Sequence, residues 1–164
     1  MEQIIKVRIN KFIEKHKLLS QKQYGFREGK STLDAVSELV ELMYMAVDGS
    51  KPSICVFPDL AKAFDTVSHV LLLEKLERMG FRGVSYKLFK SYFNNRKQYV
   101  QLEGVISIVK YGVPQGTVLG PLFFIIYVNE ILLLNTSRTL FSYADDTAIL
   151  YSEETWDDLK TNVE

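Results

Sequence analysis

The sequence predicts an α+β fold, in which a small antiparallel sheet is backed by helices. Apolar residues recur at helical spacing in several segments, and short runs rich in β-branched and aromatic residues, bounded by turn formers, are typical of strands. The chain of 164 residues is 47% hydrophobic, which is enough to bury the core of one domain. We therefore expect one domain, without internal repeats or linkers.

Two helices are predicted before the first strand. The first is amphipathic, because its apolar residues repeat with a helical period. These residues are Ile4, Ile5, Ile9, Phe12 and Ile13. The second helix begins after Ser31, a favourable N-cap with Asp34 three positions later, and it ends before Gly49.

A buried strand is predicted at residues 53–57. This compact run is mostly apolar, contains β-branched side chains and is too short for a helix. Asp59 ends the segment, and two interpretations of it have equal weight at this point. It is either the N-cap of a following helix or a carboxylate that the strand carries to the edge of the sheet.

The middle of the chain alternates helices with a hairpin. Ser68 is a suitable N-cap for a third helix that stops at Gly80, and a fourth helix is predicted at residues 84–93. A β-hairpin follows. Its strands are residues 98–102 and 105–109, and the turn between them lies near Gly104. Another short helix, at residues 155–162, closes the chain.

A loop rich in turn formers precedes an apolar helix. The turn formers are Pro114, Gly116 and Gly120. Gln115 lies among them and carries an amide that can hydrogen-bond a sugar or a base edge, although Pro-Gln-Gly taken alone is only a loop. Pro121 suits the first position of the helix predicted at residues 122–134.

A second hairpin carries two adjacent carboxylates. Residues 140–143 and 147–151 favour strands, and Ala144, Asp145 and Asp146 form the tight connection between them. Adjacent carboxylates repel, so they require a cation or exposure to water. Taken alone, the pair is better interpreted as an exposed acidic turn.

A metal site is the alternative interpretation of this turn. If the strand before Asp59 neighbours the hairpin in one sheet, Asp59 meets Asp145 and Asp146. Three such carboxylates are what two-metal phosphoryl transfer requires, because the two ions clamp the attacking and leaving oxygens.

The order and spacing of these motifs resemble the reverse transcriptase domain of non-LTR (LINE-type) retrotransposons over nearly the whole chain. The matching segments are residues 23–32 in the fingers, residues 57–67 as motif A, residues 112–123 as motif B and residues 141–150 as motif C. Four motifs in this order are specific, whereas one alone is weak. The resemblance implies a polymerase palm in residues 51–164 and part of the fingers in residues 1–50, with the thumb absent.

The resemblance also implies the catalytic residues. Asp59, Asp145 and Asp146 correspond to the carboxylates that bind two Mg²⁺ ions, for which Mn²⁺ can substitute. The reaction implied is template-directed DNA synthesis, with an RNA template, a DNA primer and dNTPs as partners.

Five further residues match positions that contact substrate in the family. Phe64 corresponds to the residue that lies under the sugar of the incoming nucleotide and excludes a ribose 2′-hydroxyl; without the family it would be a core aromatic. Gln115 and Gly116 correspond to motif B residues near the nucleotide. Arg27 and Lys30 lie in the fingers segment that approaches nucleic acid or nucleotide, and a solvated surface role is as good an interpretation for both.

Two rival functions differ from this one in class. One is a non-enzymatic remnant that binds nucleic acid or protein. The other is a different palm polymerase, such as a viral RNA-dependent RNA polymerase. Phe64, the alanine before Asp145 and the Pro-Gln-Gly loop argue against the second rival, because a ribonucleotide polymerase needs room for the 2′-hydroxyl.

Composition limits the alternatives further. The net charge is zero, but two stretches, residues 1–30 and 75–97, are basic. A groove that follows a nucleic-acid backbone requires such basic residues. Charged faces of ordinary helices explain the two stretches equally well. No run of eighteen apolar residues and no signal-peptide layout is found. With Cys55 alone no internal disulfide forms. We expect an intracellular protein, nuclear or cytoplasmic, without membrane contact.

Three departures from the family pattern indicate a truncated copy with little activity of its own. Pro58 stands where the family has a large aliphatic residue, and proline is poorly tolerated in a central strand. The chain begins after the early fingers motif and stops soon after motif C. The missing parts predict loss of grip on primer and template, whereas Pro58 predicts a displacement of Asp59 that harms catalysis.

Overall fold

The computed structural model describes residues 1–94, 97–100, 105–108, 111–134 and 138–163. The helices are α1 (Glu2–His16), α2 (Thr32–Asp48), α3 (His69–Arg78), α4 (Val84–Phe93), α5 (Gly120–Val128) and α6 (Trp156–Val163), with short 3-10 helices at Ala63–Asp65 and Ile131–Leu133. The strands are β1 (Ser53–Val56), β2 (Lys97–Val100), β3 (Val105–Ile108), β4 (Thr139–Tyr143) and β5 (Asp146–Ser152). The α+β class is therefore confirmed.

The chain divides into two compact units. The first unit contains Met1–Leu18 and Lys62–Tyr127, and the second contains Leu19–Ala61 and Val128–Glu164. Helix α2 belongs to the same unit as the sheet that carries the acidic hairpin, and the boundary expected at residue 50 between fingers and palm stays a prediction.

The second unit is built on an antiparallel sheet with the strand order β1-β5-β4. A short parallel pairing extends it beyond β4, where the Tyr24 N–H donates to the Ser142 carbonyl at 2.8 Å and the Ser142 N–H donates to the Lys22 carbonyl at 2.9 Å. Helix α2 packs on one face. The core there consists of Tyr24, Phe141, Ala148 and Leu150, with Ala35, Leu39, Leu42 and Cys55 packed against it.

Strand β1 is an edge strand of this sheet, so the prediction of a buried strand at residues 53–57 is wrong. Within the described sheet β1 has one neighbour, β5, and Ile54 and Val56 are exposed while Cys55 turns toward the core. Successive side chains of a strand point to opposite faces, and the β-branched residues Ile54 and Val56 lie on the exposed face of β1, so the apolar content of the run did not indicate burial. The strand ends at Val56, three residues before Asp59.

The N-cap interpretation of Asp59 is wrong as well. The element that follows is the 3-10 helix Ala63–Asp65, and its N-cap position is Lys62. Asp59 therefore lies outside helix and strand, between β1 and that 3-10 helix, with an exposed side chain.

The first unit has an aromatic core around α5. Six of its nine residues are buried, which suits a helix that is apolar on all sides. Phe123 lies between Phe89 and Phe93, with ring centroids 5.6 and 5.0 Å away. The predicted helices α1, α3 and α4 are confirmed, and Phe12 of α1 packs on Phe81 at 4.8 Å.

Helix α5 is shorter than the predicted helix at residues 122–134. It ends at Val128, and a separate 3-10 turn, Ile131–Leu133, follows. Asn129 occupies the break, where its side-chain oxygen accepts a hydrogen bond from the Ser20 N–H at 2.8 Å. Because this partner lies 109 residues away in sequence, apolar periodicity alone could not locate the helix end.

The first predicted hairpin is confirmed as an antiparallel pair. Lys97 lies opposite Ile108 and Val100 opposite Val105. The predicted turn at Gly104 lies outside the described residues. Over the parts of the chain that the structure describes, no helix is both long and apolar enough to span a membrane.

The start of α2 shows the predicted capping box. The Asp34 N–H donates to the Ser31 hydroxyl at 3.2 Å, and the Ser31 N–H donates to the Asp34 carboxylate at 2.7 Å. The Ser31 hydroxyl also donates to this carboxylate, at 2.6 Å. The hydrogen bond from the hydroxyl first, and that from the Ser31 N–H second, hold the pKa of Asp34 below its usual value.

We expect Ser31→Ala to destabilise the protein by about 1 kcal/mol, the usual effect of removing an N-cap side chain. The pKa of Asp34 should rise toward its ordinary value at the same time, because the hydroxyl donor to the carboxylate is gone. Urea unfolding measures the first effect and an NMR titration of the Asp34 carboxyl the second. Ser152→Ala, at the end of β5, serves as a control that leaves the pKa of Asp34 unchanged.

Candidate active site

The acidic hairpin has a two-residue turn. Tyr143 pairs with Asp146 as the last pair of the β4–β5 ladder, so Ala144 and Asp145 are the two central residues. Of these two, Ala144 has a positive φ, 61°, as at the first central position of a type II′ turn, where glycine is usual. The hairpin is confirmed, and the turn stores backbone strain at its alanine.

The two carboxylates at this turn differ in exposure. Asp145 is half-buried and Asp146, the first residue of β5, is exposed. Ala144 before them is buried, with 6% of its surface accessible. In the described structure neither carboxylate is in an ion pair, so the mutual repulsion of the two acids has no basic counterpart there.

The turn is held from inside by residues that the sequence did not single out. Ala144 donates its N–H to the side-chain oxygen of Gln23 at 3.2 Å, and its carbonyl accepts from the Ser142 hydroxyl at 2.8 Å. Gly25 lies against the same backbone, and a Cβ placed on it would come within 2.2 Å of the Ala144 nitrogen. Gly25 carries no local signal of such a contact in the sequence, because its partner lies more than 100 residues away.

Asp59 lies in the same unit as the turn. The β1–β5 register pairs Ser53 with Ser152 and ends with Val56 opposite Ile149. If the pairing continued in this register for three more residues, Asp59 would lie opposite Asp146. Pairing stops first, and Pro58, which has no amide hydrogen, follows the last paired residue closely.

The structure does not gather a complete metal-binding cluster. Among the described residues, no three His, Cys, Asp or Glu side chains are placed so that they could hold an ion together. The turn itself offers two adjacent carboxylates, and Mg²⁺ is commonly held by one or two carboxylates together with substrate phosphates. By the chemistry of the donors, the turn fits such an ion, and convergence of Asp59 on it stays a prediction.

Phe64 lies in the first unit and is half-buried. Its ring stacks on Phe124, with centroids 4.2 Å apart and planes inclined by 26°, and its carbonyl accepts a hydrogen bond from the Val113 N–H at 2.8 Å. One side of the ring therefore serves the core, as the core-aromatic alternative expected, while the residue stays partly accessible.

The predicted substrate-binding loop is tied to the segment after Phe64. Gln115 donates from its side-chain nitrogen to Asp65 at 3.1 Å. The Gly112 N–H donates to the Val67 carbonyl at 2.7 Å, and the Gly112 carbonyl lies 2.7 Å from the His69 ring nitrogen Nε2. These contacts fix the start of the loop. Gly116 lies in open space by contrast, because a Cβ placed on it would have no neighbouring atom within 4 Å.

Arg27 and Lys30 both have partners within the second unit. Arg27 donates to the Ser20 carbonyl at 2.8 Å and to the Gln23 carbonyl at 3.4 Å. Lys30 bonds to the Gln21 carbonyl and places its ammonium 4.4 Å from the centre of the Tyr24 ring. Both cations thus brace the segment that pairs with β4, a role that neither predicted alternative included.

Comparison with known proteins identifies relatives along the whole chain. Residues 1–164 match the sequence model of the family described as Reverse transcriptase (RNA-dependent DNA polymerase). The probable RNA-directed DNA polymerase from transposon BS of Drosophila melanogaster is 34% identical over an alignment of length 161, and the match covers 92% of this chain and 18% of that protein. The RNA-directed DNA polymerase from mobile element jockey of the same fly is 31% identical, over 92% of this chain and 17% of that protein.

Solved structures give the same fold. Telomerase from Candida albicans, solved in complex with a fragment of telomeric RNA, superposes with a TM-score of 0.68 at 13% sequence identity, over 94% of this chain and 30% of that one. At this identity the likeness concerns the fold alone. The chain spans less than a fifth of the length of the two retrotransposon relatives.

We expect Gly25→Ala to displace the acidic turn, because the added carbon would overlap the backbone of Ala144. Overpacking of this kind costs about 1–3 kcal/mol, measurable by urea unfolding, and the amide NMR shifts of residues 143–146 should move. Gly49→Ala is the matched control: its φ is −77° and the nearest atom to the new Cβ lies at 3.2 Å. Unchanged turn resonances in Gly25→Ala would contradict the close approach.

Proposed function

Because this chain belongs to the reverse transcriptase (RNA-dependent DNA polymerase) family and its relatives are retrotransposon polymerases, we propose that it forms the palm of such an enzyme together with part of its fingers. The palm lies in residues 51–164 and the fingers part in residues 1–50. The single observation that carries the proposal is the two-residue turn that presents Asp145 and Asp146 at the end of the sheet.

The proposed reaction is DNA synthesis on an RNA template, with a DNA primer and dNTPs as the other substrates. Asp145 and Asp146, joined by Asp59, are the residues that would hold two Mg²⁺ ions, or Mn²⁺ in their place. Such ions, when bound, activate the primer 3′-hydroxyl and stabilise the leaving pyrophosphate. The half-buried position of Asp145 favours a cation there, because a carboxylate removed from water is stabilised by an opposite charge.

The proposed nucleotide contacts lie in the first unit. The ring of Phe64 excludes a ribose 2′-hydroxyl by occupying its volume, which its stacking on Phe124 supports because a braced ring cannot move aside. Gln115 and Gly116 approach the nucleotide from the loop before α5. The open space around Gly116 and the hydrogen bond that orients the Gln115 amide support this assignment.

Arg27 and Lys30 belong to the segment of the fingers that, in this proposal, approaches the template or the nucleotide. Their hydrogen bonds to Ser20 and Gln21 carbonyls hold the chain beside β4. In this proposal their charge acts on the phosphate backbone at longer range while the hydrogen bonds fix their position.

We expect the chain to bind Mn²⁺ weakly at the turn, and Asp145→Asn should abolish this binding. Paramagnetic broadening of amide resonances during an Mn²⁺ titration measures it. Asp157→Asn is the matched control, because Asp157 and Asp158 are another adjacent acidic pair in the same unit, on the exposed first turn of α6.

If Mn²⁺ still broadens the amide resonances of the turn in Asp145→Asn, the assignment of Asp145 as a metal ligand is wrong. If the chain binds a primed RNA template but no Mn²⁺ at the turn, the alternative of a non-enzymatic nucleic-acid-binding remnant is the better description.

We also expect the 164-residue chain alone not to extend a primed RNA template, because it covers so small a part of its relatives. A chimera with residues 1–164 in place of the matching segment of an active LINE-type polymerase should extend it slowly. Pro58→Leu should then recover much of the rate, since a misplacement near 1 Å costs about a hundredfold.

The control for this pair of experiments is Pro52→Leu. Pro52 flanks the other end of β1, where its carbonyl accepts from the Glu153 N–H at 3.1 Å, so its replacement should leave the rate of the chimera unchanged. Full activity of the chimera with Pro58 in place would show that this proline does no harm, and primer extension by the isolated chain would overturn the argument from coverage.

A further inference from the structure

Gln23 is a glutamine in the core of the second unit. It has no accessible surface, although glutamine is usually an exposed residue. Removing an amide from water costs free energy unless hydrogen bonds replace those lost. The described part of the chain leaves no buried side-chain nitrogen or oxygen without a partner, so the partners of Gln23 explain why it is tolerated there.

All of these partners belong to the backbone and side chains around the acidic turn. The Gln23 side-chain nitrogen donates to the Ser142 hydroxyl at 3.1 Å, and its oxygen accepts from the Gly25 N–H at 2.9 Å and from the Ala144 N–H at 3.2 Å. The Ser142 hydroxyl in turn donates to the Ala144 carbonyl at 2.8 Å. Both backbone polar groups of Ala144 are therefore bound by one connected side-chain network.

Ala144 needs such a network. An alanine at φ 61° is strained relative to the usual conformations of L-residues, and strained backbone persists where the surroundings over-determine it. The turn is also short, so a change at Ala144 is passed directly to Asp145 and Asp146. The pairing of residues 22–24 with β4 supplies the rigid base from which Gln23 reaches the turn.

We propose that Gln23 is a positioning residue for the metal-binding carboxylates, which holds the Ala144–Asp146 turn in the conformation that presents Asp145 and Asp146 together. The proposal rests on the function proposed above for these carboxylates. It assigns a role in metal affinity to a residue that contacts neither metal nor substrate and that lies about 120 residues from the turn in sequence.

The test replaces Gln23 by methionine, which has a similar volume and none of the hydrogen bonds. In Gln23→Met, without metal, the Ala144 amide hydrogen should exchange about ten- to a hundredfold faster, as the loss of a buried acceptor implies. Amides of the β4–β5 ladder further from the turn should keep their rates. Mn²⁺ should bind the turn about tenfold more weakly, a typical effect of removing a residue that orients a metal ligand.

Two further variants separate positioning from general damage. Asn129→Leu also removes a buried hydrogen bond of this unit, the 2.8 Å bond to the Ser20 N–H, and it should lower the unfolding midpoint without changing Ala144 exchange or Mn²⁺ affinity. Gln23→Glu keeps an oxygen acceptor for the Ala144 N–H and should restore part of the slow exchange that Gln23→Met loses.

Each outcome decides the proposal. If Ala144 exchange and Mn²⁺ affinity change equally in Gln23→Met and Asn129→Leu, or in neither, Gln23 has no positioning role. If Gln23→Met does not fold, the wild-type chain still gives an answer, because an Ala144 amide that exchanges as fast as an unprotected one would overturn the proposal. Slow, Gln23-dependent exchange without any Mn²⁺ binding would mean that Gln23 shapes the turn and that the proposed function is wrong.

Discussion

The backbone of Ala144 is the constraint on which the acidic site depends. A two-residue turn between β4 and β5 requires an unusual φ at its first position, and here an alanine adopts it with its surface buried. The turn sets the β4–β5 register, and β5 then sets the register of β1 on its other side. One local conformation thus determines which residues of three strands lie at the same end of the sheet.

This dependence explains an apparent excess of polar groups in the core. Gln23 and Ser142 are buried beside apolar residues. Burying their polar groups costs free energy unless they form hydrogen bonds, here with backbone groups that have no strand partner. The tip of a hairpin has such groups, because the ladder ends there. Arg27 and Lys30 act in a related way on the preceding segment, where they bond to the Ser20 and Gln21 carbonyls. Polar side chains here build the frame of the site before any substrate is present.

The parts of the fold that sequence predicted are those decided by local rules. The ends of helix α2 were predictable because its caps, Ser31 and Gly49, are recognised from neighbouring residues. The parts that it mispredicted depend on distant partners. The edge position of β1 follows from its pairing with β5, and the end of α5 coincides with the bond of Asn129 to Ser20. The acidic pair could be found because both residues are adjacent, whereas Gln23 could not, since nothing near it in sequence indicates its partner.

The edge position of β1 changes the meaning of Pro58. In a central strand a proline would leave a ladder hydrogen bond unmade on one of two sides, which is why it is rarely tolerated. At the edge the chain can simply leave the sheet, and β1 does so after Val56. We therefore expect Pro58 to limit how far β1 extends rather than the stability of the sheet, since the register that would align Asp59 with Asp146 stops three residues short. A sequence can keep its fold through such a substitution while the carboxylate proposed as the third metal ligand lies out of reach of the other two, because folding depends on the paired residues of β1 and the proposed site depends on the unpaired ones that follow.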